Sequence, residues 1–265
     1  MVQRIALGLE YDGRGFQGWQ TQPGGGALQD HLEAALAIIH GAPLATRVAG
    51  RTDAGVHALQ QIVHFDALHG RPVQAWVKGV NSHLPDGMAV LWARPVPEAF
   101  DARRSALERT YHYLLLRRPV RSPLLAGRVG WVHGHLDAAA MERAARHLLG
   151  THDFSAFRAA ECQARSPIRT LHETGLAARD DLLCFTFRGN AFLHHQVRNM
   201  VGALVWVGLG RRSPDWLAEV LAGRDRSRAA ATFAPDGLYL AGVRYDPAFA
   251  LPAPLSNPLF PPLIP

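Results

Sequence analysis

The stretch Gly50-Arg51-Thr52-Asp53-Ala54-Gly55-Val56-His57-Ala58 places one carboxylate in a glycine-bracketed loop between two strand-like segments. Such a loop turns tightly and can hold a side chain out toward a ligand. An aspartate in a turn often caps its own backbone instead. Arg51 lies two residues before Asp53, and a nearby cation favours the ionised, nucleophilic form of a carboxylate. Asp53 is therefore the first candidate for a catalytic residue.

Outward from this loop, strand and helix patterns alternate. The first half predicts strands at 4–11, 46–49, 60–66 and 88–95 and helices at 27–40 and 73–83. The first of these helices carries Leu28, Leu32 and Leu36 on one face. The chain lacks the long Val/Ile runs that are typical of a parallel sheet. This β-α-β-β-α-β order is that of the split unit of ferredoxin-like folds.

The second half follows a similar order of elements. It predicts strands at 109–116, 171–178, 182–189 and 238–245 and helices at 137–149, 192–209 and 214–222. The predicted divisions are 1–104, which carries the Asp53 loop, 105–246, and a proline-rich tail at 247–265. We therefore expect an α+β protein of two ferredoxin-like (RRM-like) halves. Their strands would form a mostly antiparallel sheet with flanking helices and a central basic cleft.

Composition narrows the class of partner. The 265 residues include 28 Lys and Arg against 22 Asp and Glu, which gives a net charge of +6 and suits a phosphate-bearing partner. Cys162 and Cys184 are far apart and fit neither a disulfide framework nor a zinc site. We see no secretory signal, and the apolar run 200–210 is too short to span a bilayer. We expect a cytoplasmic protein in which that run forms a buried helix.

Two side chains in the second half could serve a reaction. Arg198 falls on the apolar stripe of its helix with Val201 and Val205. A buried cation needs a partner, and we hypothesise that this partner is Asp53. Alternatively, Arg198 reaches solvent or holds the two halves together. Tyr111 lies on a strand, where it either packs in the core or stacks on a base and passes a proton.

Several arginines in or near loops are candidate phosphate contacts: Arg71, Arg103, Arg104, Arg158, Arg165 and Arg169. Each of them alone is more often a solvated surface charge than a phosphate contact, because phosphate binding is shared among many side chains. The pair His194-His195 lacks ligand spacing, so no metal site is predicted.

Several segments together resemble one known family. They are Tyr11-Asp12-Gly13, 16–20, 51–57, Gly79-Val80-Asn81, 102–106, Arg109-Thr110-Tyr111, 150–157, 192–199 and Gly237-Leu238-Tyr239-Leu240. In this order they resemble the tRNA pseudouridine synthase A family, over about residues 5–245. The most specific part is the Arg-Thr-Asp-Ala-Gly-Val-His core combined with the distant Asn-Ala-Phe-Leu-His-His-Gln-Val-Arg-Asn segment.

The resemblance implies the pseudouridine synthase fold and a role for each matching residue. Asp53 would be the catalytic aspartate, Arg51 would help to flip the target base, Tyr111 would contact the uracil and Arg198 would pair with Asp53. Further substrate contacts would come from Arg71, Phe100, Arg103, Arg104, Arg158 and Leu238.

The resemblance also implies a substrate and partners. The family isomerises uridines 38–40 in the anticodon stem-loop of tRNA to pseudouridine. It acts as a homodimer and uses no metal and no organic cofactor, and no membrane is involved.

The residues alone leave two other functions open. A non-catalytic RNA-binding or chaperone module would need only basic charge and half-buried aromatic rings. A metal-dependent nucleic-acid hydrolase would use Asp53, His57 and His64, would stop working in a chelator and would cleave the RNA chain.

Overall fold

The computed structural model describes residues 2–68 and 70–254, and these form two compact units. Unit 1 comprises the described residues up to Leu107 together with 239–254, and unit 2 comprises Glu108–Leu238. The part of the predicted tail from residue 255 onward lies outside the described residues. Within 2–68 and 70–254, no helix is both long and apolar enough to cross a membrane.

Ten strands and four α-helices make up the regular structure of these ranges. The strands are β1 (Gln3–Tyr11), β2 (Arg47–Val48), β3 (His57–Ala67), β4 (Met88–Pro95), β5 (Glu108–Arg117), β6 (Gly130–Val132), β7 (Gly150–Asp153), β8 (Ile168–Arg179), β9 (Leu182–Gly189) and β10 (Leu238–Arg244). The α-helices are α1 (Leu28–His40), α2 (Ala138–Arg146), α3 (Gln196–Gly208) and α4 (Trp216–Gly223).

In unit 1 the strands follow the order β4-β1-β3-β10, and β2 also pairs with β3. β1 pairs antiparallel with β3 and β4, whereas β10 pairs parallel with β3. β1 is a central strand, and both of its faces are buried, since Ile5, Ala6 and Leu7 are at most 1% exposed. Both faces of the unit 1 sheet are therefore covered at β1, which makes the sheet a rigid support for the loop that precedes β3.

The elements of unit 1 match the sequence expectation closely. α1 buries the predicted face of Leu28, Leu32 and Leu36, and β4 has the predicted bounds. The segment 73–83 is helical at its centre, but it is a π-helix at Ala75–Gly79. Just beyond it, the Asn81 amide pairs with the backbone of Val90 in β4.

In unit 2 the strands follow the antiparallel order β5-β9-β8-β7, and β6 pairs parallel with β5. The predicted buried helix is confirmed as α3, which is enclosed along most of its length. It begins at Gln196 rather than at residue 192, because His195 adopts a left-handed φ of 60°. The Gln196 side chain then accepts a hydrogen bond from the backbone of Leu193 at 2.8 Å.

Candidate active site

The Asp53 loop joins β2 to β3 in unit 1. Its turn closes with a hydrogen bond from the Val56 amide to the Asp53 carbonyl at 3.1 Å. Gly55 provides a φ of 78°, a conformation that other residues rarely adopt. Arg51 is exposed, and Asp53 is half-buried. The predicted turn is therefore present, and its carboxylate retains access to solvent.

Two glycines of the preceding 12–18 segment lie directly against this loop. A Cβ on Gly13 would stand 2.1 Å from the Val56 carbonyl oxygen, and one on Gly18 would stand 2.9 Å from that of Thr52. The Trp19 amide donates to the same Thr52 carbonyl at 2.9 Å. Because only a residue without a side chain allows such close approach, these glycines help to fix the backbone around Asp53.

A chain of buried polar groups ties the loop to the sheet. The Gln61 amide nitrogen donates to the Gly50 carbonyl at 2.7 Å and to the Tyr11 hydroxyl at 3.1 Å. That hydroxyl is 2.8 Å from the Thr52 hydroxyl. Gln61 is fully buried and Thr52 nearly so. Satisfied polar networks of this kind are rigid, so the residues on both sides of Arg51 are held in place.

The two unit 1 histidines considered for a metal site take part in packing. His57 is buried, stacks on Tyr239 with ring centroids 4.5 Å apart, and accepts a hydrogen bond at Nδ1 from the Gly13 amide at 3.1 Å. Nδ1 of His64 accepts from the Ala102 amide at 3.0 Å. Burial lowers the pKa of His64. These imidazoles thus join β3 to the backbone at Gly13 and Ala102.

Asp12 is a second carboxylate of the 12–18 segment. Burial alone would raise the pKa of Asp12, but the hydrogen bonds from Arg14 together with the charges of His57 and Arg14 outweigh it, and the pKa lies below its ordinary value. Nε and Nη2 of Arg14 contact this carboxylate at 2.6 to 3.0 Å. Asp12 is therefore an ion-pair partner of Arg14.

Tyr111 lies in β5 of unit 2, near the strand's first residue. It is 9% exposed and meets Phe192 edge to face, with centroids 5.0 Å apart. Aromatic pairs in this geometry are attractive and fix ring orientation. The Tyr111 ring is therefore nearly buried and has a defined position.

Arg198 lies in the first turns of α3 and is half-buried. Its Nε donates to the Phe233 carbonyl at 2.8 Å. Gly202, one turn further on, makes this possible, because a Cβ there would stand 2.4 Å from the Ala231 carbonyl oxygen. The 231–233 segment therefore lies close against α3 and orients the guanidinium.

Of the candidate RNA contacts in unit 1, Arg71, Arg103 and Arg104 are exposed. The amides of Arg103 and Arg104 both donate to Asp101 at 2.9 Å. Phe100 is fully buried, and its ring packs against Tyr245 at 5.2 Å. The backbone of this loop is thus well defined, and the two arginine side chains point outward from it.

Two further predicted contacts lie in unit 2. Arg158 is half-buried, and its Nη2 donates to the carbonyls of Cys162 and Ala164. Leu238 is 5% exposed at the start of β10. In this structure Arg158 therefore organises the loop that follows it, and Leu238 is a packing residue.

The sequence does not predict the network of Gln61, Tyr11 and Thr52 that supports the Asp53 loop. Polar residues that alternate with apolar ones in a strand look like a solvated face. In β3, however, Gln60 and Gln61 are adjacent and are followed by Ile62 and Val63, so the alternation of a solvated face is missing, which was the available signal.

Comparisons with known proteins agree on one family. The family model described as tRNA pseudouridine synthase matches residues 9–103 and 144–246. A protein of Thiobacillus denitrificans named tRNA pseudouridine synthase A is 58% identical over 95% of this chain and 96% of its own length. One of the same name from Paraburkholderia xenovorans is 56% identical over 96% of this chain and 94% of its own length.

Among solved structures, a chain in the crystal structure of a Cbf5-Nop10-Gar1 complex is similar at a TM-score of 0.40 and 11% identity. The match covers 89% of this chain and 48% of that one.

Proposed function

This chain belongs to the tRNA pseudouridine synthase A family, and from that we propose that Asp53 catalyses the isomerisation of uridine to pseudouridine in the anticodon stem-loop of tRNA. The target positions would be uridines 38–40. The curated relatives that carry this name are isomerases, and they match this chain over almost its full length. The catalytic role of Asp53 is supported above all by the hydrogen bonds and close glycine contacts that fix the backbone around it.

The reaction needs few chemical groups. The bond between ribose C1′ and uracil N1 breaks, the base turns, and C1′ bonds to C5. The hydrogen leaves C5 and N1 gains one, so nothing is oxidised and no water is consumed. One carboxylate suffices for this, by attack on the ribose carbon, by attack on the base, or by removal of a proton from the sugar. No cofactor is needed for any of these routes.

Because the target uracil is stacked in the RNA, it must first be swung out. We assign Arg51 to this step, since it is exposed and flanked by the pinned residues Gly50 and Thr52. A guanidinium can stack in the vacated place and bind phosphate. Tyr111 would then contact the extruded ring, with an orientation that Phe192 already fixes.

Arg198 would pair with the Asp53 carboxylate and hold it ionised. Its half-buried guanidinium is oriented by the Phe233 carbonyl, and a carbonyl leaves the charge of the arginine intact. Around these residues, Arg71, Arg103, Arg104 and Arg158 would contact the RNA backbone. Phe100 and Leu238 would support these contacts from within the packed units.

The functional assembly would be a homodimer that meets tRNA in the cytoplasm. Sedimentation of the purified chain at micromolar concentration tests the first part of this proposal, and a monomer that is fully active would overturn it.

The experiment that tests the catalytic role uses tRNA carrying tritium at C5 of uridine. Asp53→Asn should abolish tritium release while tRNA affinity changes little, because the substitution removes the charge and keeps the shape. Asp180→Asn is the matched control, since Asp180 is exposed and has a φ of 51°, a conformation that Asn tolerates. Tritium release near the wild-type rate in Asp53→Asn would refute the assignment.

The same assay separates the two other readings. A non-catalytic RNA-binding module would release no tritium even as the wild-type chain. A metal-dependent hydrolase would cleave the tRNA and would stop in a chelator. The isomerase should release tritium, leave the RNA chain intact and continue in EDTA.

A further inference from the structure

Two arginines of unit 2 share one face and one end of its sheet. Gly189 of β9 pairs with Arg109 of β5 on one side and with Leu171 of β8 on the other. Residues opposite each other across a sheet point to the same face, as do residues two apart along a strand. Arg109 and Arg169 therefore lie on the face that also carries Tyr111.

Backbone carbonyls hold these arginines and a third one, Arg158. Arg109 donates to the Asn190 carbonyl at 2.9 Å, and Arg169 donates to those of Ser166 and Ile168 at 2.9 and 2.6 Å. Arg158 donates to the Ala164 carbonyl at 3.0 Å. A carbonyl orients a guanidinium without cancelling its charge.

The opposite face of the same strands is arranged differently. Arg188 of β9 meets Glu108 at 3.1 Å and Glu173 at 3.0 Å, so two carboxylates compensate its charge. Arg169, in contrast, donates to carbonyls and forms no ion pair with a carboxylate among the described residues.

Arg158 and Arg169 donate to carbonyls that are only two residues apart, those of Ala164 and Ser166, and the electrostatics of Arg169 agree with this placement. Burial lowers the pKa of Arg169, and the charges of Arg158 and Arg109 lower it further. The one group that raises it is the Cys162 thiol. Nε of Arg169 is buried and meets no hydrogen-bond acceptor among the described residues.

The pKa of the Cys162 thiol indicates which sign of charge the surroundings of Arg158 and Arg169 favour. Burial raises the pKa of Cys162, but backbone amides and the Arg158 guanidinium outweigh it, and the pKa falls below its ordinary value. The surroundings therefore stabilise a negative group.

We propose that Arg109, Arg158 and Arg169 form a binding site for a single phosphate group of the RNA backbone, next to Tyr111 along β5. The identity of the ligand as RNA rests on the proposed function. A guanidinium cluster prearranged by carbonyls suits the tetrahedral oxygens of a phosphodiester. Bound there, a backbone phosphate would position its nucleotide close to the tyrosine ring.

Cys162 is a built-in reporter for this site. The chain has two cysteines, and Cys184 is 1% exposed with its thiol pKa raised by burial to about 12. Iodoacetamide should therefore alkylate Cys162, and intact-protein mass spectrometry should show one modification. A saturating tRNA transcript should slow this alkylation at least fivefold. Inorganic phosphate, compared with chloride at equal ionic strength, tells whether a free anion does the same.

Arg169→Gln and Arg179→Gln form a matched pair of variants, since both remove one arginine charge from β8 and Arg179 is an exposed residue at the other end of the strand. Loss of one true phosphate contact lowers the slope of log Kd against log salt by about 0.7 to 0.9. Arg169→Gln should show this loss and weaken the protection of Cys162 by tRNA, whereas Arg179→Gln should show neither. Arg169→Lys should recover the slope, which separates a lost charge from a misfolded variant.

The outcomes distinguish this site from the catalytic proposal. Unchanged alkylation in the presence of bound tRNA, together with equal salt slopes for the two Gln variants, would overturn the phosphate site. Tritium release by the wild-type chain would still support the isomerase in that case. Protection of Cys162 without any tritium release would support the site and refute the reaction.

Discussion

At the scale of single residues, Arg198 combines partial burial with a retained charge. Its Nε is held by the Phe233 carbonyl at 2.8 Å. We predict that Arg198→Met lowers kcat for tritium release by about 100-fold or more, as expected for loss of one preorganised electrostatic contact. The Kd for tRNA should stay within about twofold, because affinity is shared among many phosphate contacts.

The conservative variant Arg198→Lys serves as the control, since it keeps the charge and shortens the reach. It should retain more activity than Arg198→Met. A kcat for Arg198→Met equal to that of the wild type would contradict the pairing with Asp53.

The sequence predicts those parts of the candidate site whose residues lie close together along the chain. The turn at Asp53 was visible because glycines bracket it within a few residues, and the structure has that turn. Gln61 was not visible as its support. Its partner Tyr11 lies 50 residues away and comes close only through the pairing of β1 with β3, whereas Gly50 comes close through the pairing of β2 with β3.

At the scale of elements, Gln61 links a loop to a sheet. We predict that Gln61→Met destabilises the protein by about 1 to 3 kcal/mol, because the Gly50 carbonyl and the Tyr11 hydroxyl lose a buried donor. The loop should loosen, so kcat should fall about tenfold or more. Urea unfolding and single-turnover tritium release measure the two effects.

Gln60→Met is the matched control for this prediction. Gln60 is the adjacent residue and is equally enclosed, but its amide donates to the Pro252 carbonyl at 3.1 Å rather than to the loop. Its replacement should change kcat little. If both variants reduce kcat equally, the network does not position the loop.

Element prediction succeeded where periodicity is long and failed where strands are short. α1 and β4 have strong patterns and were found with nearly correct bounds. β6 and β7 were missed, because strands of three and four residues that begin with glycine show no alternation. The late start of α3 follows from the left-handed φ of His195, which the sequence pattern does not reveal.

At the scale of the whole molecule, the segment 239–254 completes unit 1. β10 pairs with β3, and the Tyr245 hydroxyl donates to the Ala102 carbonyl at 2.5 Å. Phe249 packs on Phe100 with centroids 5.1 Å apart. Unit 1 therefore combines two segments that are distant in the sequence, and Tyr245 and Phe249 of the second segment anchor the loop that carries Arg103 and Arg104.

Global stability should depend on pH through His112, which is 8% exposed in β5 and has its pKa lowered to about 4 by burial. In the unfolded chain the imidazole titrates near its ordinary value of about 6.5. Between these two values the unfolded chain binds a proton that the native chain does not, so stability is complete above about pH 6.5 and is lost as the pH falls toward 4.

We predict that this one group costs the protein about 2 kcal/mol of unfolding free energy between pH 7 and pH 5. His112→Gln remains neutral and can still bond to the Thr186 hydroxyl, which is 3.1 Å from Nδ1 of His112 in the native chain. Its unfolding free energy should therefore fall less over the same range. Urea titrations of both proteins at pH 5, 6 and 7 make the comparison, and parallel pH profiles would show that the native structure accommodates a protonated His112.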